Sequence, residues 1–559
     1  MSSLICLALL GTVLAMPAEE PMSALVERFV ADFGSLDRYL TSPDSDSTRA
    51  RRKSFAQDWL KTLDAVDFDK LDLEGRVDWL LLGNRLKREL RQLELDAKAD
   101  EKLTALLPFA PILVGIGEAR ARMDKIEPEQ AAATINEVVK QVKELRKALG
   151  TKLKAERTEA NRGADEVLRL NRLVRNWYDF HAGYDPLFTW WVQKPYEEFT
   201  TEMKAYADEI REKLVGIKAE DKSAIVGRPV GREALLADLQ FEMIPLTPEE
   251  LIDIANREFA WCEKEAKRAA DDLGFKGDWK KALEHVKTLH VKPGDQPSLV
   301  RELALEAIAF LEKKDLVTVP PLAKETWRMS MMSPEAQKTN PFFLGGEQII
   351  VSFPTNTMTH DEKLMSMRGN NRHFSKATVQ HELIPGHHLQ GFMMDRYRPY
   401  RSAFGTPFWI EGWALYWEML LWDQGFALGP EDRVGMLFWR MHRCARIIFS
   451  LRFHLGEVSP QQCIDFLVDR VGHERANAEG EVRRSFSGAY PPLYQLAYMV
   501  GGLQFRALHQ ELVGTKKMSN REFHDAILKE NQMPIEMVRA ILTKQKLTKD
   551  FVTKWRFGS

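Results

Sequence analysis

The residues best suited to chemistry crowd into one stretch, His381-Glu382-Leu383-Ile384-Pro385-Gly386-His387-His388, where imidazoles and a carboxylate interrupt an otherwise apolar, helix-like segment. Two His four residues apart on one helix face, with Glu directly after the first, is the arrangement that shares a zinc ion and uses the Glu as general base. Here position 385 is Pro, so the strict spacing is broken. Treating Pro385-Gly386 as a two-residue insertion restores His-Glu-Leu-Ile-His, with His387 in the second ligand's place. In an unbroken helix a residue six on from His381 sits about 240° round the axis, on the wrong face. Pro removes an amide donor and Gly tolerates unusual backbone angles, so the pair favours a local break that brings His387 back. His388 competes, since it returns to within about 20° of His381's direction, but it lies ~10.5 Å further along the axis. The geometry prefers His387. The ordinary alternative is a helix end, because imidazoles favour the negative C-terminal turn and Pro-Gly punctuates helices. Five of the 13 His fall between His360 and His388, which weighs towards metal.

A third ligand must come from elsewhere, and Glu411 is the candidate, in Thr406-Pro407-Phe408-Trp409-Ile410-Glu411-Gly412-Trp413-Ala414-Leu415-Tyr416-Trp417-Glu418. Thr-Pro starts a helix, with Thr as N-cap and Pro in the first turn. Trp409, Trp413 and Trp417 then form a stripe that packs into a core. A charged Glu amid that aromatic surface is costly unless something compensates it. A metal would compensate it; a basic partner, or a direction out of the far side of the helix, is the bland alternative. Glu418, two turns on along the same face, is suited to orienting a His ligand from behind, or else is solvated.

His-Glu-x-x-Pro-Gly-His followed by Glu-Gly-Trp-Ala-x-Tyr resembles the bacterial domain-of-unknown-function family 885, which is grouped with the gluzincin metallopeptidases. Pro492-Leu493-Tyr494-Gln495-Leu496-Ala497-Tyr498-Met499-Val500-Gly501 is similar to that family's Pro-x-x-Gln-x-x-Tyr-x-x-Gly segment. The three motifs, in order, cover Thr378 to Gly501. The resemblance implies one Zn²⁺ per chain held by His381, His387 and Glu411, with Glu382 as general base. It also implies Tyr498 as donor to a tetrahedral oxyanion, with Tyr494 and His388 in reserve. The broader likeness is to neurolysin, angiotensin-converting enzyme and thermostable carboxypeptidase, and it implies a mainly α fold divided by a deep channel. Likeness of fold does not carry a substrate with it.

The elements that must position these residues read as helices. From Pro21 to Lys218 successive amphipathic helices are expected, with Val66 to Leu95 and Glu127 to Arg162 the clearest, and Tyr178, Tyr184, Trp190 and Trp191 reading as core between them. Thr247-Pro248-Glu249-Glu250 is a capping box that starts a long helix towards Asp272, stopping near Gly274. Helix resumes from Ser298 as N-cap to Lys314. Phe342 to Phe353 reads instead as strand, Gly-Gly turn, strand: one small β-hairpin near the zinc site, whose edge either takes up extended substrate or merely covers the core. Arg368 and Arg372 are candidate receivers of a substrate carboxylate. Gly480 to Pro492, with Arg483 and Arg484, reads as a loop over the site.

The expected organisation is a signal peptide over 1–15, an N-terminal helical half over 16–325 and a catalytic half over 326–559, the two halves forming either separate domains or one continuous body. The first segment carries an apolar run from Leu4 to Leu14 with no Lys or Arg before Arg28, too short to span a bilayer, so export to the periplasm or medium is expected. Cys6 lacks the small residue before it that a lipid anchor requires. Cys262, Cys444 and Cys463 imply no disulfide framework; one Cys444–Cys463 bridge and buried free thiols are both open. A formal charge of −2 calls for neither nucleic acid nor an anionic membrane; peptide substrate is the partner that the metallopeptidase resemblance implies. The function expected is an exported zinc metallopeptidase acting on short peptides. Its rivals are an amidohydrolase acting on non-peptide amides, a non-catalytic binding protein, and a structural bundle without metal.

Overall fold

The computed structural model describes residues 21–558 apart from 41–44, 219, 220, 222, 223, 338, 339 and 341. The expected signal segment lies outside the described residues. The protein is mainly α. Local capping explains several helix starts. Thr247 Oγ1 accepts from the Glu250 amide while the Glu250 carboxylate accepts from the Thr247 amide, and the helix they open runs Pro248–Asp272, followed by Gly274 at φ +82°. The Glu127–Arg162 stretch is two helices, Pro128–Ala148 and Arg157–His181, parted by a turn with Gly150 at φ +78°. The helix expected from Ser298 begins earlier, as Gln296–Lys314.

The largest buried core joins residues from Met22 to Phe557, and so runs across the expected boundary at 325. A second core, from Leu103 to Val215, belongs to a four-helix lobe ending in Pro186–Ile210. There the aromatic expectation holds for Tyr178, which packs against this core, and fails for Trp191 and for Tyr184 and Trp190, which are 87% and 81% exposed. Phe188 and Val192 face inward, and Trp190, about 200° round from Phe188, must face out.

The β expectation is also corrected. Strand β1 (Arg328–Met331) pairs in parallel with β2 (Gln348–Val351), and only Leu344 pairs antiparallel across the Gly345-Gly346 turn, exchanging both backbone hydrogen bonds with Ile350. With β1 and Leu344 both bonded to β2, that strand has no free edge at Ile350 for an extended substrate. Long-range pairing of β1 with β2 spans an intervening helical turn, Pro334–Gln337, that no hairpin pattern anticipates. Cys262, Cys444 and Cys463 are buried free thiols. Among the described residues no helix is long and apolar enough to cross a membrane.

Candidate metal centre

The motif helix, Arg372–Glu382, is opened by Asn371, whose side chain accepts from the amides of His373 and Phe374. Helical geometry stops at Leu383 and resumes in His387–Met394. Between them the chain folds back on itself: the Gly386 amide donates to the Gln380 carbonyl at 3.1 Å. A Cβ on Gly386 would lie 1.7 Å from the His381 carbonyl oxygen, so only glycine fits. The fold-back brings the His387 ring to 4.9 Å from that of His381, nearly perpendicular to it. His388 points away, its Nε2–H donating to the Ala323 carbonyl at 2.7 Å. Of the two adjacent imidazoles, His387 enters the cavity.

Glu411 arrives on Pro407–Asp423, which Thr406 caps by accepting from the Phe408 amide. Trp409, Trp413 and Trp417 on this helix are all fully buried. The helix lies tight against Tyr494–His509. A Cβ on Gly412 would meet the Gly501 backbone at 2.6 Å, and one on Gly501 would meet the Phe408 carbonyl oxygen at 2.1 Å. This closeness sets the Tyr494 hydroxyl on Glu411 Oε1, to which it donates. Tyr494 is thereby occupied in holding Glu411.

Glu411 Oε2 lies 3.2 Å from His387 Nε2 and 3.6 Å from His381 Nε2, and it is buried with no hydrogen-bond partner. Ligands at ~2.0–2.1 Å from a tetrahedral zinc stand roughly 3.3 Å apart, so these separations suit a shared metal. A ligand atom of Glu382 also lies within 4.8 Å of ligand atoms of both His381 and His387. Glu411 fits the third ligand position, because its Oε2 stands 3.2 and 3.6 Å from the two nitrogens and has no hydrogen-bond partner. Glu382 is then left for proton transfer, and burial raises its carboxyl above the usual range despite the nearby imidazoles, in the direction a general base near neutrality needs.

Behind the ligands, Glu418 Oε1 accepts from His381 Nδ1 at 2.7 Å, which turns Nε2 towards the cavity. Tyr498 is 4% exposed, with its ring 6.1 Å from that of His381 and stacked on it. Burial raises its phenol, so the hydroxyl stays protonated as a donor. The Tyr498 hydroxyl has no hydrogen-bond partner among the described residues. The enclosing cavity is about 360 Å³, within the small-molecule range.

Other expected residues lie elsewhere. Arg368 is engaged by Glu284 and Glu474, and Arg372 by Glu302, so neither is left to receive a substrate. Gly480 to Phe486 is not a loop but the end of a helix, Arg475–Phe486. On it Arg483 faces two grooves outside the metal centre, whereas Arg484, a 100° step on, lines the cavity. Sequence reasoning did not single out Arg443 and Arg446, which also line the cavity, or Gly345. A Cβ on Gly345 would lie 2.3 Å from Glu382 Oε2, and the Gly346 amide donates to the Glu382 carbonyl at 3.2 Å. The Gly-Gly dipeptide was visible as a turn; that the turn presses on Glu382 was not.

Two of the solved structures that share this fold are described as lipoproteins. One, described as "a putative lipoprotein of unknown function from Shewanella oneidensis", superposes with a TM-score of 0.68 at 17% identity, covering 94% of this chain and 100% of that one. The other, "the putative lipoprotein from Colwellia psychrerythraea", gives a TM-score of 0.57 at 15% identity, covering 94% and 98%. None of the curated proteins matches the chain. The model of a family described as "Bacterial protein of unknown function (DUF885)" matches residues 29–542.

Proposed function

The chain belongs to that bacterial family of unknown function, DUF885, and from its cavity we propose that it is an exported zinc metallopeptidase of gluzincin type, hydrolysing short peptides. The observation that carries this reading is the orphaned Glu411 Oε2, buried 3.2 and 3.6 Å from two imidazole nitrogens. A buried acceptor without a donor costs on the order of 1–3 kcal/mol or more, and a cation among these three residues removes that cost. Export rests on the apolar N-terminal run and on the description of both fold relatives as lipoproteins.

His381, His387 and Glu411 hold the ion. When bound, zinc supplies Lewis acidity and brings the pKa of water towards about 7. Glu382 accepts a proton from water in the cavity and returns it to the leaving amine nitrogen, its backbone held by the Gly346 amide. Tyr498 donates to the oxyanion that forms on the scissile carbonyl, an interaction of about 3 kcal/mol in comparable sites. Glu418 and Tyr494 do not meet substrate; they fix His381 and Glu411.

Elemental analysis of wild type, His387→Ala and His388→Ala, followed by a peptide-library digest, tests the reading. About one zinc per chain is expected in wild type and His388→Ala and is lost in His387→Ala. Cleavage of peptides by wild type, abolished in Glu382→Gln with zinc retained, supports peptidase chemistry. Absence of zinc after reconstitution, or zinc without hydrolysis of any peptide, overturns it.

A further inference from the structure

One wall of the cavity is cationic in a way the peptidase reading leaves unused. Arg443 and Arg446, one turn apart on Pro430–His454, and Arg484 on Arg475–Phe486 all line it. Their guanidinium carbons lie over tyrosine rings: those of Arg443 and Arg446 at 4.6 and 4.4 Å from the Tyr498 ring centre, that of Arg484 at 4.7 Å from the Tyr490 ring centre. A cation–π contact is not a hydrogen bond, so it leaves the N–H groups of a guanidinium still needing acceptors. Arg443 Nε, Arg446 Nη1 and Arg484 Nε are indeed buried without a hydrogen-bond partner.

Counter-charge falls short once a divalent cation is bound. Arg446 Nε donates to Glu481 Oε1 at 2.6 Å, and Arg443 Nη2 lies 3.5 Å from Glu418 Oε1, which His381 already uses. Arg484 makes no ion pair among the described residues. Three guanidiniums face four carboxylates here, Glu382, Glu411, Glu418 and Glu481. A divalent cation on the imidazoles would leave one positive charge unbalanced. An unpaired buried cation is costly, and an anion brought by the ligand removes the cost.

We propose that Arg484, with Arg443 and Arg446, receives a carboxylate of the substrate, so that the site selects peptides carrying a free carboxylate beside the scissile bond. This rests on the peptidase reading for its catalytic consequence, and on the divalent cation of that reading for its charge balance. The carboxylate comes from the peptide C-terminus or from an Asp or Glu side chain, and the planar fork of arginine matches either bidentately.

The test uses the zinc-loaded full chain and three acetylated peptide libraries: neutral free acids, neutral C-terminal amides, and amides containing Asp or Glu. The expected result is at least tenfold higher kcat/KM for one of the two carboxylate-bearing libraries than for the neutral amides, which identifies the source. That advantage collapses in Arg484→Gln, mainly through KM, and is partly restored in Arg484→Lys. Equal cleavage of all three libraries by wild type overturns the proposal and leaves the peptidase reading standing. Calorimetric titration with N-acetylated amino acids, as acids and as amides, needs neither turnover nor a variant. At least tenfold tighter binding of the acids supports the arginine site even if no peptide is cleaved; equal binding overturns it.

Discussion

Glu418 Oε1 sits 2.7 Å from His381 Nδ1 and 3.5 Å from Arg443 Nη2, so one carboxylate oxygen ties a candidate metal ligand to the cationic wall of the same cavity. The carboxylate orients the imidazole and raises its basicity, and removing its charge weakens both effects. Glu418→Gln is therefore expected to fold and to bind zinc ~10–100-fold more weakly, as read by competition with a chromophoric chelator. Unchanged affinity would reduce Glu418 to a packing role.

Gly386 is the point on which the ligand spacing depends. With a Cβ 1.7 Å from the His381 carbonyl oxygen, Gly386→Ala must open the fold-back that holds His387 beside His381. A loss of a few kcal/mol in stability is expected, with zinc stoichiometry falling well below that of wild type. Denaturation and elemental analysis of the same preparation check both, and a variant that keeps full zinc content refutes the argument.

Arg401 probes the scaffold. It is fully buried, with Nε on Asp78 Oδ1 at 2.8 Å, Nη1 on Glu530 Oε2 at 2.7 Å and Nη2 on Glu74 Oε2 at 2.5 Å, so it joins the helix Leu73–Glu101 to the end of the helix Asn520–Glu530. Arg401→Met leaves Glu74 and Glu530 to Arg398 but strips buried Asp78 of its only cation among the described residues, with the Tyr400 hydroxyl as its remaining donor, and is expected to cost about 3 kcal/mol. Urea denaturation measures it; a loss under 1 kcal/mol would mean the cluster relaxes into solvent.

Acid should unfold the protein partly through His524. This fully buried ring donates from Nδ1 to the Leu316 carbonyl at 2.7 Å and accepts at Nε2 from the Tyr416 hydroxyl at 2.8 Å, so both nitrogens are committed to the neutral form. Burial holds its pKa down at about 3. Below roughly pH 6.5 the unfolded chain takes up a proton that the folded chain refuses until pH falls to about 3, so stability declines as pH falls through that window. Between pH 7 and 5 this one residue is expected to remove about 2 kcal/mol. Urea titrations at both pH values, with metal chelated, should show a smaller pH difference in His524→Gln than in wild type; equal differences refute it.

Sequence by itself determined whatever depends on neighbours within a turn or two. The capping box at Thr247, the tryptophan stripe through Trp417 and the break at Pro385-Gly386 all follow from backbone geometry over a few residues, which also prefers His387 to His388 without deciding between them. Only the tertiary structure decided what meets across the chain. The Gly412–Gly501 contact sets Tyr494 on Glu411, the Gly345 turn presses on Glu382, and β1 pairs with a strand that pattern alone assigned to a hairpin. The arginine wall was least legible. Arg443 and Arg446 are ordinary helical cations by sequence and Arg484 reads as part of a loop, and whether a cation is solvated or buried against tyrosine depends on how helices distant in sequence pack, which no local pattern encodes.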